Sequence, residues 1–257
     1  MNTPKPLYRI PLLAISIFSA ITHAETIVLE DDMDYANTSS LRSKWSSINS
    51  SPSLASELKF TPLPLSLENP IPISGKFMLL NNGIAYRKLG QTITTDWTLT
   101  ARVLFSSYRR GLRVFLLNDT GEEGYGFGWS SQNPDQFDGN GSVRITKFQD
   151  DDYDSWNTFR GSQDFEAVNS GHPVTGYKVT ATPDSDQHNA NYDMTNWHDM
   201  MTATLTWDAS SGQLTLFING ERVSSHQDTE FNRFSSIYLR GNTSAYFDKI
   251  VLTVSDH

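Results

Sequence analysis

The sequence predicts an all-β protein built as an antiparallel two-sheet sandwich. Three observations support this fold class. Segments in which apolar and polar residues alternate recur along the chain, as half-buried strands require. No apolar helical period of useful length follows residue 24, and glycine, asparagine, aspartate and serine separate the strand-like segments. Many short strands joined by such turns are typical of antiparallel sandwiches.

The first 24 residues have the pattern of a secretory signal. Lys5 and Arg9 form a basic start, the apolar run "IPLLAISIFSAI" follows, and Thr22-His23-Ala24 approximates a small-residue cleavage site. That run is shorter than the roughly 20 residues that a membrane-spanning helix needs. We predict cleavage after Ala24 and export to the periplasm, the cell surface or the medium. An uncleaved membrane anchor is the alternative.

Length and charge limit the remaining possibilities. The 233 residues of 25–257 are enough for one sandwich domain. The chain has no cysteine, so neither a disulfide nor a thiolate metal site contributes. Its formal net charge of −9 argues against nucleic acid or an anionic membrane as partner and suits neutral ligands and divalent cations. We therefore expect no membrane insertion after signal cleavage.

Local patterns predict the individual elements. Five prolines in residues 50–75 would interrupt a central ladder, so this stretch is expected to be a long surface connection or edge strands. Residues 97–105 and 201–207 alternate as half-buried strands do. In "GQLTLFINGERV" (212–223), Asn219-Gly220 accepts the positive φ angles of a type I′ turn, which predicts a hairpin. Further strands are predicted over 112–117, 124–129, 143–148, 174–181, 236–240 and 245–254.

Two long stretches carry no strand pattern. Residues 149–173 and 182–200 are rich in aspartate, asparagine, serine and aromatic residues and lack apolar alternation. We interpret both as loops, which on a rigid sandwich are the usual position of binding groups.

Several segments resemble those of concanavalin A-like and laminin G-like jelly-roll domains of bacterial secreted proteins. The stretch "NWHDMMTATLTWDASSGQLTLFINGERV" (196–223) is similar to the family's pattern of Trp-His, an alternating strand, a short turn and a strand ending in a glycine hairpin. "DDMDY" with Trp45 resembles the Asp-rich opening, while "DWTLTARVLF", "GYGFGW" and "FDKIVL" resemble middle and last strands. The resemblance implies a jelly roll with adjacent first and last strands. In many members it also implies carbohydrate binding on the concave sheet or rim loops, sometimes with a structural calcium ion.

The last strand raises the question of a metal. With strict alternation, Asp248 lies on the more apolar face of residues 245–254, where an ionised carboxylate is costly without a cation or several donors. If the chain ends meet, as the resemblance implies, Asp31, Asp32 or Asp34 would lie near Asp248, and their oxygens suit calcium. We therefore expect a structural Ca²⁺ held by Asp248, Asp31 and Asp32. The alternatives are backbone, arginine or lysine donors, or a partly wet face.

The sequence contains no evident catalytic motif. The Glu-x-Asp-x-x-Glu run of the best-known sandwich glycosidases is missing, and the nearest carboxylate pair is Asp164-Phe-Glu166. The ordered motifs of sandwich lyases are also missing, as are a Gly-x-Ser-x-Gly elbow and a His-Glu-x-x-His zinc helix. We assign no catalytic residue from the sequence.

The segment "GYGFGW" offers one possible sugar platform. Its aromatic residues, Tyr125, Phe127 and Trp129, share one strand face, and three glycines form the other. The aromatic side chains either stack on sugar rings or fill the inter-sheet core. The glycine face leaves the backbone open to close approach by a ligand or a neighbouring sheet.

The loops provide the preferred carbohydrate site. Aromatic rings stack on the apolar faces of sugars, while amide, carboxylate and guanidinium groups hydrogen-bond to the hydroxyls. We predict a secreted, glycan-binding, lectin-like protein. A polysaccharide hydrolase or lyase on the same scaffold and an envelope structural or adhesive protein are the alternatives. The side chains predicted to contact the ligand are Trp156, Arg160, Asp154, Tyr153 and Tyr192.

Overall fold

Antiparallel strands dominate the chain. The structure, a computed structural model, describes residues 25–58, 71–105, 112–130, 142–149, 162–165, 201–218, 220–241 and 245–255. These residues form fifteen strands and one short helix, α1 (Thr38–Lys44). The strands are β1 (Glu25–Asp31), β2 (Ser46–Ile48), β3 (Ser53–Leu58), β4 (Ile71–Leu80), β5 (Gly83–Ile93), β6 (Asp96–Phe105), β7 (Leu112–Leu117), β8 (Glu123–Ser130), β9 (Ser142–Gln149), β10 (Ser162–Phe165), β11 (Met201–Asp208), β12 (Gln213–Ile218), β13 (Glu221–Gln227), β14 (Phe234–Gly241) and β15 (Ala245–Ser255).

The strands form two sheets. The eight-stranded sheet has the order β13-β12-β11-β6-β15-β4-β3, and β1 pairs with β15 beside this path. The seven-stranded sheet has the order β10-β9-β8-β7-β14-β5-β2. The strand pairs in both sheets are antiparallel. The predicted antiparallel two-sheet sandwich is therefore confirmed.

Alternation along the strands builds the core between the sheets. In β6, alternate residues from Trp97 to Val103 are buried, while the residues between them face outward. Trp97 packs edge-on against Phe234 of the opposite sheet with ring centroids 5.5 Å apart, and Trp207 does the same at 5.2 Å. Each large side chain removed from water in this way contributes about 1.5–3 kcal/mol to folding. This layer holds the two sheets face to face.

The first and last strands are neighbours, as the resemblance implied. β1 pairs antiparallel with β15, with Glu25 opposite Ser255 and Asp31 opposite Ile250. The Asp-rich opening therefore begins beside the final strand.

The expected position of Asp248 on the apolar face of β15 is wrong. Phe247 and Lys249 pair with consecutive residues of β6, so Asp248 is the extra residue of a β-bulge. Phe247 before the bulge and Ile250 after it both belong to the inter-sheet core. The bulge thus inverts the alternation, and a pattern of strict period 2 cannot reveal such an insertion.

The proline-rich stretch contains an edge strand, one of the two alternatives predicted for it. β3 forms the end of the eight-stranded sheet and pairs with β4. Pro72 lies within β4, opposite Glu57. Residues 59–70, like the predicted strand over 174–181, lie outside the described residues.

Most other predicted strands are confirmed, with bounds that differ by at most a few residues. The hairpin is also confirmed, because β12 and β13 pair with Ile218 opposite Glu221, and Gly220 has φ of +85°. The structure adds β1, β2, β5, β10 and α1, which the sequence analysis did not predict. Among them, β10 lies inside 149–173, so the loop interpretation is wrong for that segment.

The short helix depends on a local cap. The side chain of Asn37 accepts a hydrogen bond from the backbone N–H of Ser40 at 2.9 Å, which satisfies a donor that the first helical turn leaves unpaired. Leu41 is the buried residue of α1. Seven residues are too few to show a helical period in the sequence. In the described part of the chain, no helix combines the length and apolar character needed to cross a bilayer.

Candidate functional site

The seven-stranded sheet carries a second apolar cluster on the side that faces away from the inter-sheet core. We call this side the outer face. β7 contributes to both sides, because its buried residues alternate between the inter-sheet core and this cluster. A strand that is buried on both faces appears in the sequence as a nearly continuous apolar run. The segment "LRVFLL" of β7 has this pattern and could have indicated the second cluster. The buried members of the cluster are Ile84, Phe115, Leu117, Phe148 and Tyr238.

Cross-strand pairing places several outer-face residues in a row that we call the aromatic row. It consists of Tyr86 (β5), Tyr238 (β14), Phe115 (β7), Gly126 (β8) and Thr146 (β9). Tyr86 and Tyr238 stack with ring centroids 5.1 Å apart and an interplanar angle of 12°. Such a pair contributes about 0.5–1.5 kcal/mol beyond the area that it buries. Tyr86 is half-buried, so this stacked pair has a partly exposed end.

A second row beside it is the arginine row. It consists of Ile84, Arg240, Arg113, Gly128 and Arg144, taken across the same five strands. Arg113 donates a hydrogen bond from Nη1 to the hydroxyl of Thr146 at 3.1 Å. Burial, together with the charge of Arg113, lowers the pKa of Arg240 to about 10. Two guanidinium groups therefore lie close together on a half-buried part of the outer face.

The glycines of β8 allow the side chains of β7 to lie across that strand. A Cβ at Gly126 would lie 2.5 Å from Cδ1 of Phe115, and one at Gly128 would collide with Nη1 of Arg113. The predicted open glycine face is therefore occupied by side chains of the neighbouring strand in the same sheet, and not by the ligand or the neighbouring sheet that were expected there.

The predicted aromatic platform in β8 has a different role. Tyr125 and Phe127 are at most 1% exposed and belong to the inter-sheet core. The core-filling alternative is thus confirmed for these two residues. The hydroxyl of Tyr125 donates to Asp228 at 2.5 Å, and Nζ of Lys147 donates to the other oxygen of Asp228 at 2.8 Å.

At the opening of the chain, Asp31 points into the sandwich. It is 6% exposed, and its Oδ1 accepts from the backbone N–H of Met33 at 3.0 Å. Its Oδ2 accepts from Nε1 of Trp45 at 3.0 Å, from Nη1 of Arg87 at 2.9 Å and from the hydroxyl of Tyr35. A guanidinium and three other donors thus compensate the charge of this carboxylate.

Asp248 has a cationic partner as well. Nη1 of Arg102 donates to its Oδ2 at 2.8 Å, one of the alternatives that the sequence left open. Burial raises the pKa of Asp248, Arg102 opposes that rise, and the charge of Asp32 adds to it. Asp32 is therefore the residue of the opening turn that acts electrostatically on Asp248, whereas Asp31 faces Arg87.

The predicted calcium ion lacks a ready-made ligand cluster in this arrangement. Within the described ranges, no group of three or more histidine, aspartate or glutamate side chains is placed to hold an ion. The ammonium of Lys76 donates to the carbonyl oxygens of Tyr35 and Ala36 at 2.7 and 3.1 Å. A side-chain cation therefore already binds two backbone oxygens of the segment that follows β1. Calcium binding by Asp248, Asp31 and Asp32 stays a prediction.

The loop residues predicted to bind sugar lie outside the described residues. Residues 150–161 lie in the sequence between β9 and β10, and these two strands pair at one edge of the seven-stranded sheet. Of the pair Asp164-Phe-Glu166, Asp164 lies in β10 opposite Thr146, and Glu166 is not among the described residues. The five predicted contacts are Tyr153, Asp154, Trp156, Arg160 and Tyr192.

Solved structures share this architecture. β-Agarase A from Zobellia galactanivorans superposes with a TM-score of 0.50 at 12% sequence identity, covering 90% of this chain and 92% of that one. A glycoside hydrolase family 16 endo-glucanase from Bacteroides ovatus gives a TM-score of 0.48 at 10% identity, covering 88% and 100%. The carbohydrate binding module CBM66 from Bacillus subtilis gives 0.44 at 11% identity, covering 80% and 92%. No protein-family model and no curated protein matches the sequence.

At these identities the likeness concerns the fold alone. The strand order, the antiparallel pairing and the agarase superposition agree on a concanavalin A-like jelly roll, as the sequence resemblance implied. Function must be argued from the residues of the outer face, because one fold supports many activities.

Proposed function

We propose that the protein recognises carbohydrate on the outer face of the seven-stranded sheet. The observation that carries this proposal is the stacked pair at the start of the aromatic row, in which the half-buried ring of Tyr86 lies against the buried ring of Tyr238. Flat apolar surfaces bordered by hydrogen-bonding groups suit pyranose rings, whose C–H faces stack while their hydroxyls bond to the side. The rigid sheet fixes these groups in advance, which lowers the entropic cost of binding.

The other sheet offers a different surface on its outward side. Threonines occupy its central positions in β6 and β11, and the hydroxyls of Thr100 and Thr204 lie 3.0 Å apart. Short branched side chains of this kind favour strand formation and are not planar rings, while the half-buried Phe217 of β12 lies opposite Thr204. We assign recognition to the seven-stranded sheet because its outer face carries the stacked pair of Tyr86 and Tyr238.

The predicted loop contacts extend the same site in this proposal. Asp154, Trp156 and Arg160 lie in the sequence between β9 and β10, outside the described residues. Tyr153 shares that segment, and Tyr192 belongs to the later stretch before β11. Export through the signal over residues 1–24 and a structural calcium ion remain parts of the proposal.

A matched pair of variants tests the proposal. Tyr86→Ala should weaken retention on a glycan array and in affinity electrophoresis by about tenfold, because it removes the partly exposed ring of the stacked pair. Thr204→Ala, on the outward side of the other sheet, should bind as the wild type does. Both variants should be checked for an unchanged fold by circular dichroism. Undiminished binding by a folded Tyr86→Ala protein would contradict the assignment of the site.

A polysaccharide hydrolase or lyase is the second candidate. The observation that favours it is the register of β10, which places Asp164 opposite Thr146 at the end of the aromatic row. Release of reducing ends, or of unsaturated products that absorb in the ultraviolet, would identify turnover. Binding without turnover would favour the lectin. The absence of both on a broad panel would favour the envelope structural or adhesive protein.

A further inference from the structure

The ring of Tyr86 has two faces with different neighbours. Tyr238 of β14 covers one of them, with ring centroids 5.1 Å apart and an interplanar angle of 12°. On the other side of β5, the register partner of Tyr86 is the exposed Ser46 of the edge strand β2. A serine side chain is too small to cover a tyrosine ring, and Tyr86 is accordingly half-buried. The second face of the ring therefore lies open on the β2 side.

The first face stays closed because Tyr238 is fixed in place. Tyr238 is 7% exposed, and a Cβ at Gly121 would collide with its hydroxyl, so the turn between β7 and β8 touches the tip of its ring. The side-chain oxygen of Asn118 accepts from the backbone N–H of Glu122 at 2.9 Å and holds this turn. Tyr238 is thus a rigid backing for Tyr86, and a ligand approaches the pair from the β2 side.

An apolar border and a polar border lie on opposite sides of the open ring face. Residues two positions apart on a strand share a face at a distance of about 7 Å, so Ile84 and Lys88 flank Tyr86 along β5. Ile84 is buried in the outer cluster and pairs with Ile48 of β2, which packs against the same cluster. Lys88 is exposed. The ring thus has isoleucines on one side and an ammonium group on the other.

The two polar side chains beside the open face are available for a ligand. Within the part of the chain that the structure describes, the side chains of Ser46 and Lys88 have no hydrogen-bonding partner. Their neighbours along the chain differ, because the hydroxyl of Ser47 lies 3.3 Å from another serine hydroxyl and Arg87 donates to the buried Asp31. A hydroxyl that donates and accepts, and an ammonium with three donors, suit the hydroxyl groups of a sugar.

We infer that a pyranose ring of the ligand stacks on the β2 side of Tyr86, with its hydroxyl groups bonded to Ser46 and Lys88. This inference rests on the proposed carbohydrate function and names the residues that orient the sugar. The apolar border at Ile48 receives C–H groups, and the polar border receives hydroxyls. Because β2 is the last strand of its sheet, further sugar units of a chain can continue past the sheet margin.

The test compares variants of the full chain by affinity electrophoresis in gels that contain laminarin, xylan or agarose. With a polysaccharide that the wild type binds, Ser46→Leu should weaken binding by about tenfold or more, because the larger side chain fills the space beside the ring. Ser46→Ala removes only the hydroxyl and should weaken binding by about threefold. Lys88→Met keeps the apolar stem, loses the ammonium and should weaken binding by about tenfold.

A matched control separates this position from a general effect on the edge strand. Ser47→Leu introduces the same side chain at the next residue of β2, on the opposite side of the strand, and should bind as the wild type does. The melting temperature and the near-ultraviolet circular dichroism of each variant check that the fold and the packing of the tyrosines are unchanged. If Ser46→Leu does not fold, Ser46→Ala and Lys88→Met carry the test.

Two outcomes would overturn the inference and leave the proposed function standing. One is full binding by folded Ser46→Leu and Lys88→Met variants when Tyr86→Ala has lost binding. The other is equal weakening by Ser46→Leu and Ser47→Leu, which would show that β2 tolerates no added apolar group on either side. Failure of the wild type to bind the three polysaccharides or any glycan on an array would overturn the inference together with the proposed function.

Discussion

At the scale of single residues, Asp228 connects the two sheets through its hydrogen bonds. It follows β13 of one sheet and accepts from Tyr125 and Lys147 of the other. Lys147 also bonds to Glu230, and its ammonium lies 5.0 Å from the ring centroid of Phe231. Burial alone would raise the pKa of Asp228, but the bonds from Lys147 and Tyr125 outweigh it and lower the pKa.

This network predicts a specific acid sensitivity. Because the pKa of Asp228 is lower in the folded chain than in the unfolded one, its stabilising effect is present at neutral pH. The effect is lost as pH falls below about 4 and through the lowered pKa. Asp228→Asn should lower the free energy of unfolding at neutral pH by about 1–3 kcal/mol, and less in acid. Urea titrations at pH 7 and pH 3 measure both values. An equal loss at the two pH values would contradict the role of the charge.

Single residues also show how much of the site could be read from the sequence. The sequence marked Asp31, Asp32 and Asp248 correctly as residues near the meeting of the chain ends. It could not show that Arg87 compensates Asp31 and Arg102 compensates Asp248. Those partners come from other strands, and only the register of the sheets brings them near.

At the scale of elements, β8 illustrates why alternation alone was insufficient. Tyr125 and Phe127 lie in the core, as the pattern allowed. The glycines of β8 instead leave room for side chains of the neighbouring strand β7. The two rows of the outer face also depend on cross-strand register, which short-range patterns do not encode. The bulge at Asp248 is a third case, because one added residue exchanges the two faces of β15.

The glycines of β8 make a testable difference between two positions. A Cβ at Gly126 would meet the carbonyl oxygen of Val114 and the ring of Phe115, whereas one at Gly128 would meet the side chain of Arg113 and no backbone atom among its nearest contacts. Gly126→Ala should therefore lower the free energy of unfolding by about 1–3 kcal/mol, and Gly128→Ala by less. Chemical denaturation of both variants compares them. A larger loss of unfolding free energy for Gly128→Ala than for Gly126→Ala would contradict the expectation that the backbone contact at Gly126 is the more costly one.

At the scale of the whole molecule, the sequence was sufficient to predict the fold class. Alternating segments, turn residues and the Asn219-Gly220 hairpin indicated an antiparallel sandwich, and strands such as β6, β7 and β11 follow that reading. What it could not supply was the assignment of each strand to a sheet. Consequently the outer face, formed by strands distant in the chain, was absent from the predicted site.

The predicted calcium ion would connect the opening turn of the chain to its last strand. A Ca²⁺ ion shared by Asp32 and Asp248 should raise the melting temperature, and a chelator should reverse the increase. Asp248→Asn should remove the response, while Asn118→Ala, in the turn after β7, should keep it. A melting temperature that is the same with calcium and with chelator would contradict the prediction.

The pairing of β1 with β15 has a further consequence for how the chain could be built. Since Glu25 and Ser255 are register partners, a short glycine-rich linker could close the polypeptide into a ring without disturbing either sheet. Cutting that ring at the exposed Gly220, between β12 and β13, would create a circular permutant in which every strand keeps its neighbours. We therefore expect such a permutant to form the same two sheets, because its strand pairs are the same as those of the natural chain order.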